Sequence, residues 1–426
     1  MSLRSSVLPK AVLAAVSVAL LTATACSSDD DSSGSSAESA TARGPITYVE
    51  GKDTTETGVV RQLIDQWNST HPDEEVTLKE EPSDADQAHD DMVQHLQAKE
   101  SDYDVLALDV IWTAEFAAKG WLQPLKDDFA VDTAGLLEPT VASGTYNGTL
   151  YAAPKNTNGG LLFYRKDLVP NPPTTWAEMM GDCGIAKQNN IGCYSGQFAA
   201  YEGLTVNTSE GINANGGAFV GPDGRTATVD SPQARAGLQS LVDGFKDGNI
   251  PAEAITFKEQ DSQQAFESGK LLFLRNWPYV YGTAAKEGSQ VQGKYDVAPL
   301  PGVSGVGTST LGGYNAAISA YSDHKATALD FIKYLTSEQA QRIIAGGSLP
   351  PVLGSLYDDP ELIAQMPYLP ALKQSIANAV PRPVTPYYPA VTKAVQDNAY
   401  AALKGEKSVD QAITDMQAGI ETAGSK

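Results

Sequence analysis

Four histidines, His71, His89, His95 and His324, are the only imidazoles in 426 residues, and none stands in an H-E-x-x-H arrangement. His71 precedes Pro72, where a helix would end, and His89 and His95 are six apart and share no helix face. No G-x-S-x-G elbow occurs, nor a glycine-rich phosphate loop with Lys-Ser/Thr. A carboxylate pair for glycoside hydrolysis stays open, but in so acidic a chain the spacing of acids says nothing. Catalysis has no positive support; recognition has more. Aromatics sit beside polar residues at strand ends and in Gly/Pro-rich turns: Trp112, Trp277-Pro278-Tyr279, Tyr314 and Tyr387-Tyr388. Sugars need that combination, because ring faces take the apolar C–H face of a pyranose while Asp, Asn, Glu and Arg satisfy adjacent hydroxyls. The bland alternative is core packing, as for Trp67 within a helical pattern.

Charge narrows the partners. Thirty Lys+Arg against 52 Asp+Glu leave a net of −22, with no compensating basic patch. Phosphate backbones would repel such a chain, so no nucleic acid is expected, and anionic membrane surfaces are disfavoured. Four His and three Cys argue against a multi-cysteine zinc site or an iron–sulfur cluster, and neither a metal nor a cofactor is expected. With 42% apolar and 19% charged residues the composition is globular, and the length allows roughly two or three domains of ~150 residues.

Strands and helices must alternate to position these residues. Ile46–Glu50 reads as a strand, followed by Val59, Val60, Leu63, Ile64 and Trp67 at helical spacing. Val76–Leu78 and Tyr103–Leu108 read as strands around a polar helix at Asp84–Lys99, and Trp112–Lys119 as a short helix stopped by Gly120. Leu161–Tyr164 and Leu271–Leu274 are further strands. Gln233–Lys246, Gln263–Ser268, Ala326–Leu335, Ser337–Ile344 and Val409–Thr422 look helical. The alternation predicts α/β layers with mostly parallel sheets. Gly302–Thr310 and Pro381–Pro389 are the main interior breaks, and there is no internal repeat.

The N-terminus sets the compartment. Arg4 and Lys10 precede the apolar run Ala11–Ala25, which is too short for a bilayer span of ~20 residues and reads as a secretory signal over residues 1–25. Ala23-Thr24-Ala25-Cys26 resembles a lipobox, with Ala where Leu is usual three residues before the Cys; the alternative is a plain signal cut at Ala25. Residues 26–44, polar and rich in Ser and Asp, suit a flexible tether. The exported part loses Arg4 and Lys10 and no acid, so it carries 28 bases against 52 acids, a net of −24. Outside the cytosol the remaining pair, Cys183 and Cys193, is most simply a disulfide closing a surface loop, against the alternative of two free thiols.

At these residues a family resemblance emerges. The run Ala107–Phe116 with Gly120-Trp121, Tyr151-Ala152-Ala153-Pro154 with Asn158, Leu161–Leu168, Asn276-Trp277-Pro278-Tyr279, Leu311-Gly312-Gly313 and Arg382-Pro383 carry it in order and spacing. From about Ile46 to Ala423 the chain resembles an extracellular solute-binding lipoprotein of a sugar ABC importer, nearest the trehalose/maltose-binding branch and its trehalose-recycling lipoproteins. The resemblance implies an α/β, two-lobed, periplasmic-binding-protein-like (type II) fold with hinged lobes and a central ligand cleft. Lobe one would be 45–153 plus 314–358, and lobe two 154–313 plus 359–426. It implies a monomer without enzyme activity, anchored by lipidated Cys26 to the outer face of the bacterial cell membrane. That monomer would capture an α-glucoside disaccharide, trehalose first and maltose-type next, and deliver it to membrane permease subunits served by a cytoplasmic ATPase. Matching position by position, Asp109 and Arg382 would bind sugar hydroxyls, Asn158 and Glu259 would contact the ligand, Trp277 and Tyr279 would form the stacking platform, and Gly313 would offer backbone. Glu56 would contribute from the first loop. Asn156 stands where some relatives have Tyr, and Tyr314 where some have Trp, which leaves the disaccharide open.

Each of these residues has an ordinary alternative. Asp109 at a strand end could cap the following helix. Arg382 could be a solvated charge or an inter-lobe ion pair, Asn158 could satisfy a turn, Trp277 could be core, and Glu259 could be an exposed helix charge. The competing classes are an exported carbohydrate-active enzyme, hydrolase or lyase, using cleft carboxylates, and an adhesion or structural lipoprotein.

Overall fold

The computed structural model describes residues 41–53, 55, 57–221 and 223–425. The expected leader, Cys26 with most of the tether, and Glu56 lie outside the described residues. Among those described, no helix is long and apolar enough to cross a membrane.

The described residues form twelve strands in chain order: β1 Ile46–Gly51, β2 Val76–Glu81, β3 Val105–Asp109, β4 Thr145–Tyr146, β5 Thr149–Leu150, β6 Ala152–Asn158, β7 Leu161–Arg165, β8 Gly192–Ser195, β9 Leu271–Asn276, β10 Tyr295–Pro299, β11 Thr310–Ile318 and β12 Val380–Pro381. A six-stranded sheet has the order β12-β11-β3-β1-β2, with β6 also on β11. A four-stranded sheet has the order β10-β7-β9-β8, and β4-β5 is a small hairpin. β1 is buried on both faces, with Tyr48 packed into one apolar cluster and Val49 into another, because helices cover each side.

The sheets are mixed, not mostly parallel. β1 runs parallel to β2 and β3, but β11 runs antiparallel to both β3 and β6, and β7 antiparallel to β9 and β10. The reason is topological. β6 carries the chain out of the six-stranded sheet and β11 brings it back, so the two strands must point in opposite directions. The positions expected to divide the lobes, 153/154 and 313/314, fall within this strand pair.

Helices form where the apolar spacing demands them. Val59–Asn68 buries Val59, Val60, Leu63, Ile64 and Trp67, as its period predicts. Ala85–Ala98 starts at Asp84, whose side chain accepts from the Gln87 N–H. Tyr388–Leu403 buries Tyr388, Val391, Val395, Ala399 and Ala402 at the same spacing, whereas Glu202–Ala214 carries no such stripe and buries Glu202, Thr205, Asn207, Thr208, Ser209 and Glu210 together with apolar residues. Cys183 and Cys193 are bonded, and the segment they close lies at the surface, with Gly184 and 187–190 exposed, but as a helix and turn rather than an open loop. The bridge itself is buried, tying the first turn of helix Cys183–Gln188 to β8.

Candidate functional site

A cavity of about 1250 Å³, its open mouth included, lies between the two sheets. Asp109, Asn156, Asn158, Glu259, Trp277, Tyr279, Gly313, Tyr314 and Arg382 all line it. The structure thus brings together nine side chains or backbone positions singled out across 274 residues of sequence; the tenth, Glu56, is outside the described residues.

The strand ends build one wall. β3 stops at Asp109, opposite Tyr314 of β11. The Asp109 side chain accepts from the Ile111 N–H at 3.2 Å and from Arg382 Nη2 at 2.9 Å. It does not cap helix Thr113–Ala118, whose N-cap is Trp112, so the capping alternative falls. Gly313 has φ +116°, and a Cβ there would lie 2.3 Å from the Asn156 carbonyl oxygen, so the register shift at Tyr314/Asn315 requires glycine. Asn156 and Asn158, on β6, present carboxamide oxygens that are buried without a partner. Beneath them, Lys155 pairs with Glu50, which also accepts from Tyr48 Oη at 2.5 Å, and the Lys155 ammonium lies 5.3 Å from the Tyr314 ring centre. Burial, with Asp109 and Glu50 nearby, pushes the Tyr314 phenol up.

The opposite wall is built at the end of β9. Arg275, deep in the sheet, is held by Glu210 through two hydrogen bonds of 2.8 and 2.5 Å and lays its guanidinium 4.0 Å from the Trp277 ring centre. The indole is therefore backed on one face, is half-buried rather than core, and lines the cavity. Tyr279 is buried with its hydroxyl unpartnered. Asn276 donates to the Glu259 carbonyl at 3.1 Å and to Ser262 at 3.1 Å, which fixes the start of helix Glu259–Glu267 beside Trp277. Glu259 is not an exposed helix charge: it is half-buried, accepts from Tyr201 Oη at 2.6 Å, and burial raises its pKa.

Arg382 closes the ring between the walls. It follows β12, is 5% exposed, and donates from Nη1 to Glu202 at 2.7 Å and from Nη2 to Asp109 at 2.9 Å, while Nε is buried without a partner. It is not a solvated charge. It is an ion pair joining the two sides that also faces the cavity. Burial works against its charge, but Asp109 and Glu202 outweigh that and hold the guanidinium above its ordinary pKa. A further ion pair, Lys258 with Asp84, joins the two sides near Glu259. Glu202, Tyr201, Lys155 and Glu50 are among the lining residues that sequence reasoning missed. Tyr387 and Tyr388 face elsewhere: the first donates to the Gly224 carbonyl, and the second is buried behind Glu202.

The His95, Glu100 and Asp102 side chains have metal-ligand proximity, each with an atom within 4.8 Å of the others, but the two acids are exposed and the trio is not part of the cavity wall.

Comparison with known proteins places this geometry in context. The profile describing bacterial extracellular solute-binding proteins matches residues 51–342. A probable ABC transporter-binding protein of Deinococcus radiodurans is 34% identical over 342 residues, 76% of this chain and 80% of that one. The maltotriose-binding protein of Pyrococcus abyssi is 25% identical over 307 residues, 70% of this chain and 65% of that one. Among solved structures, the maltose-bound MalE3 of T. maritima superposes with a TM-score of 0.83 at 33% identity, covering 89% of this chain and 99% of that chain.

Proposed function

The chain belongs to the bacterial extracellular solute-binding proteins, and from that premise we propose that it captures a neutral α-glucoside disaccharide for an ABC importer. Trehalose is the first candidate and a maltose-type sugar the second. The observation that carries the reading is a set of four buried, unpartnered polar atoms on the cavity wall: Asn156 Oδ1, Asn158 Oδ1, Tyr279 Oη and Arg382 Nε. Buried polar groups are normally satisfied, so orphans gathered around one cavity call for a ligand rich in groups that both donate and accept. Hydroxyls do both. The free face of Trp277 supplies the apolar surface that a pyranose C–H face needs. The maltose and maltotriose named for the relatives support the sugar class.

In this reading, lobes 45–153 plus 314–358 and 154–313 plus 359–426 close on the sugar, which bridges their half-sites and shifts the population toward the closed form. Moving from 1:99 to 99:1 closed needs ~5.5 kcal/mol of differential affinity, within reach of one stacking contact and several charge-assisted hydrogen bonds. The closed monomer, tethered through lipidated Cys26 on the outer face of the membrane, would then dock on the permease and release the sugar to it. A thermal-unfolding screen of trehalose, maltose, monosaccharides and linear polyols tests the reading. A ligand at ~100 times its Kd stabilises the fold by ~2.7 kcal/mol, so a disaccharide should raise the midpoint clearly. No shift with any saccharide at millimolar dose would refute it.

A further inference from the structure

A guanidinium offers five N–H donors in a rigid fork, so what Arg382 can do depends on how that fork is turned. Prolines at 381 and 383 restrain the backbone on either side. They do not restrain the side-chain torsions that aim the fork. Glu202 does. Its carboxylate is 4% exposed and accepts from Arg382 Nη1 at 2.7 Å and Tyr388 Oη at 2.6 Å on one oxygen, and from Thr392 Oγ1 at 2.6 Å on the other. All three donors come from the segment 382–392, so one carboxylate gathers the proline-rich stretch and the first turns of helix Tyr388–Leu403. Glu202 is the first residue of helix Glu202–Ala214, and a bond of 2.7 Å between the Thr205 and Thr392 hydroxyls ties the two helices together one turn further on. The carboxylate is thereby fixed before it meets Arg382.

The partners fix the rest of the fork. With Nη1 held by Glu202, Nη2 meets Asp109 and the Nε–H is left buried with nothing to donate to. An amide at 202 would keep the size of the side chain but remove one of the two charges that compensate the guanidinium, leaving Asp109 to pull the fork toward its own side. We infer that Glu202 is a positioning residue of the binding cavity: it turns the Arg382 fork so that Nη2 engages Asp109 and Nε–H stays available to a ligand oxygen. That the ligand is a sugar rests on the function proposed above; the aiming of the fork does not.

The test uses the full exported chain, with trehalose and maltose titrated calorimetrically into wild type, Glu202→Gln, Arg382→Gln and the double variant. In parallel, ¹⁵N-arginine NMR follows the Arg382 Nε–H, assigned by its loss in Arg382→Lys. Glu202→Gln should weaken binding tenfold or more but add less than twofold on the Arg382→Gln background, since it acts through the arginine. The Nε–H signal, sharp and slow to exchange in wild type, should broaden or vanish in Glu202→Gln. Affinity within twofold of wild type, a full tenfold further loss in the double variant, or an unchanged Nε–H signal would each overturn the inference. If Glu202→Gln does not fold, Tyr388→Phe, which removes one hydrogen bond to the carboxylate and no charge, should weaken binding about threefold and speed Nε–H exchange; unchanged values would overturn it. If wild type binds no saccharide, the sugar reading falls alone, and the Nε–H signal decides whether Glu202 aims the fork.

Discussion

Replacing Trp277 by alanine separates a binding role from a structural one. The indole has one face against the Arg275 guanidinium, 4.0 Å from the ring centre, and an edge against Gly312, where a Cβ would lie 3.1 Å from the ring. Only the other face is free for a ligand. Stacking a pyranose there would remove ~100 Å² of combined apolar area from water, ~2.5 kcal/mol at ~25 cal/mol per Å². Tenfold in Kd corresponds to ~1.4 kcal/mol, so Trp277→Ala should weaken disaccharide binding by roughly 30- to 100-fold. Stability should fall as well, but the fold should be kept. Arg275, fully buried, loses a cation–π contact of about 2 kcal/mol but keeps its two hydrogen bonds to Glu210. Trp277→Phe, retaining part of the face, should lose under tenfold. Isothermal titration and thermal unfolding on the same samples make the comparison. A Kd within threefold of wild type, with the unfolding midpoint lowered, would show that the ring supports the fold and no ligand.

Three other perturbations test the architecture. Arg382→Ala strands Asp109 and Glu202 in the interior and should cost about 3–5 kcal/mol at neutral pH. Burial already raises Glu202, so its folded pKa lies above its unfolded one. Its stability contribution is therefore full below the unfolded value and lost as pH rises, and the variant's deficit in urea denaturation should shrink from pH 7.5 to pH 5. Gly313→Ala should cost about 3 kcal/mol or more, because φ +116° and the Asn156 carbonyl both exclude a Cβ, and a wild-type denaturation midpoint would contradict the strand geometry. Glu81 is pushed up to about 7 from 4.5, first by burial and then by Asp91. Wild type should accordingly lose about 1–2 kcal/mol between pH 5 and pH 8 that Glu81→Gln does not lose, which parallel urea titrations would check.

The cavity was more legible in the sequence than the scaffold that aims it. Trp277 and Tyr279 stand out because they flank Pro278 in a turn, where local sequence announces exposure, while Asp109, at a strand end, and Arg382, between two prolines, are reached through the family resemblance. Glu202 gives no such signal: its meaning depends on Arg382, 180 residues away, and a buried carboxylate reads in sequence like any surface acid. Lys155 and Glu50, 105 residues apart, are hidden for the same reason. Helix Glu202–Ala214 escaped detection because it is buried nearly all round with polar side chains, so no apolar stripe marks it. The strand directions were misjudged because periodicity reports which residues are strands, while direction depends on β6 and β11 carrying the chain between sheets. Both kinds of failure are non-local.

The same non-local pairing explains how a wall so rich in charge can suit an uncharged ligand. Five acids, Glu50, Asp53, Asp109, Glu202 and Glu259, and three bases, Lys52, Lys155 and Arg382, line the cavity. Lys155 is committed to Glu50, and Arg382 to both Asp109 and Glu202. Asp53 accepts from Thr55 and from the Val60 N–H. Glu259 has Tyr201 in place of a cation. An anionic ligand would meet more carboxylates than cations, with the buried cations already compensated, and would be desolvated without return. A hydroxyl asks for no net charge: it donates to the spare lone pairs of carboxylates whose charge is already balanced and accepts from the orphaned Arg382 Nε–H. Each bond is then charge-assisted at both ends of the polyol while no ion leaves water on binding, so on the proposed reading affinity comes from charges the protein has already buried.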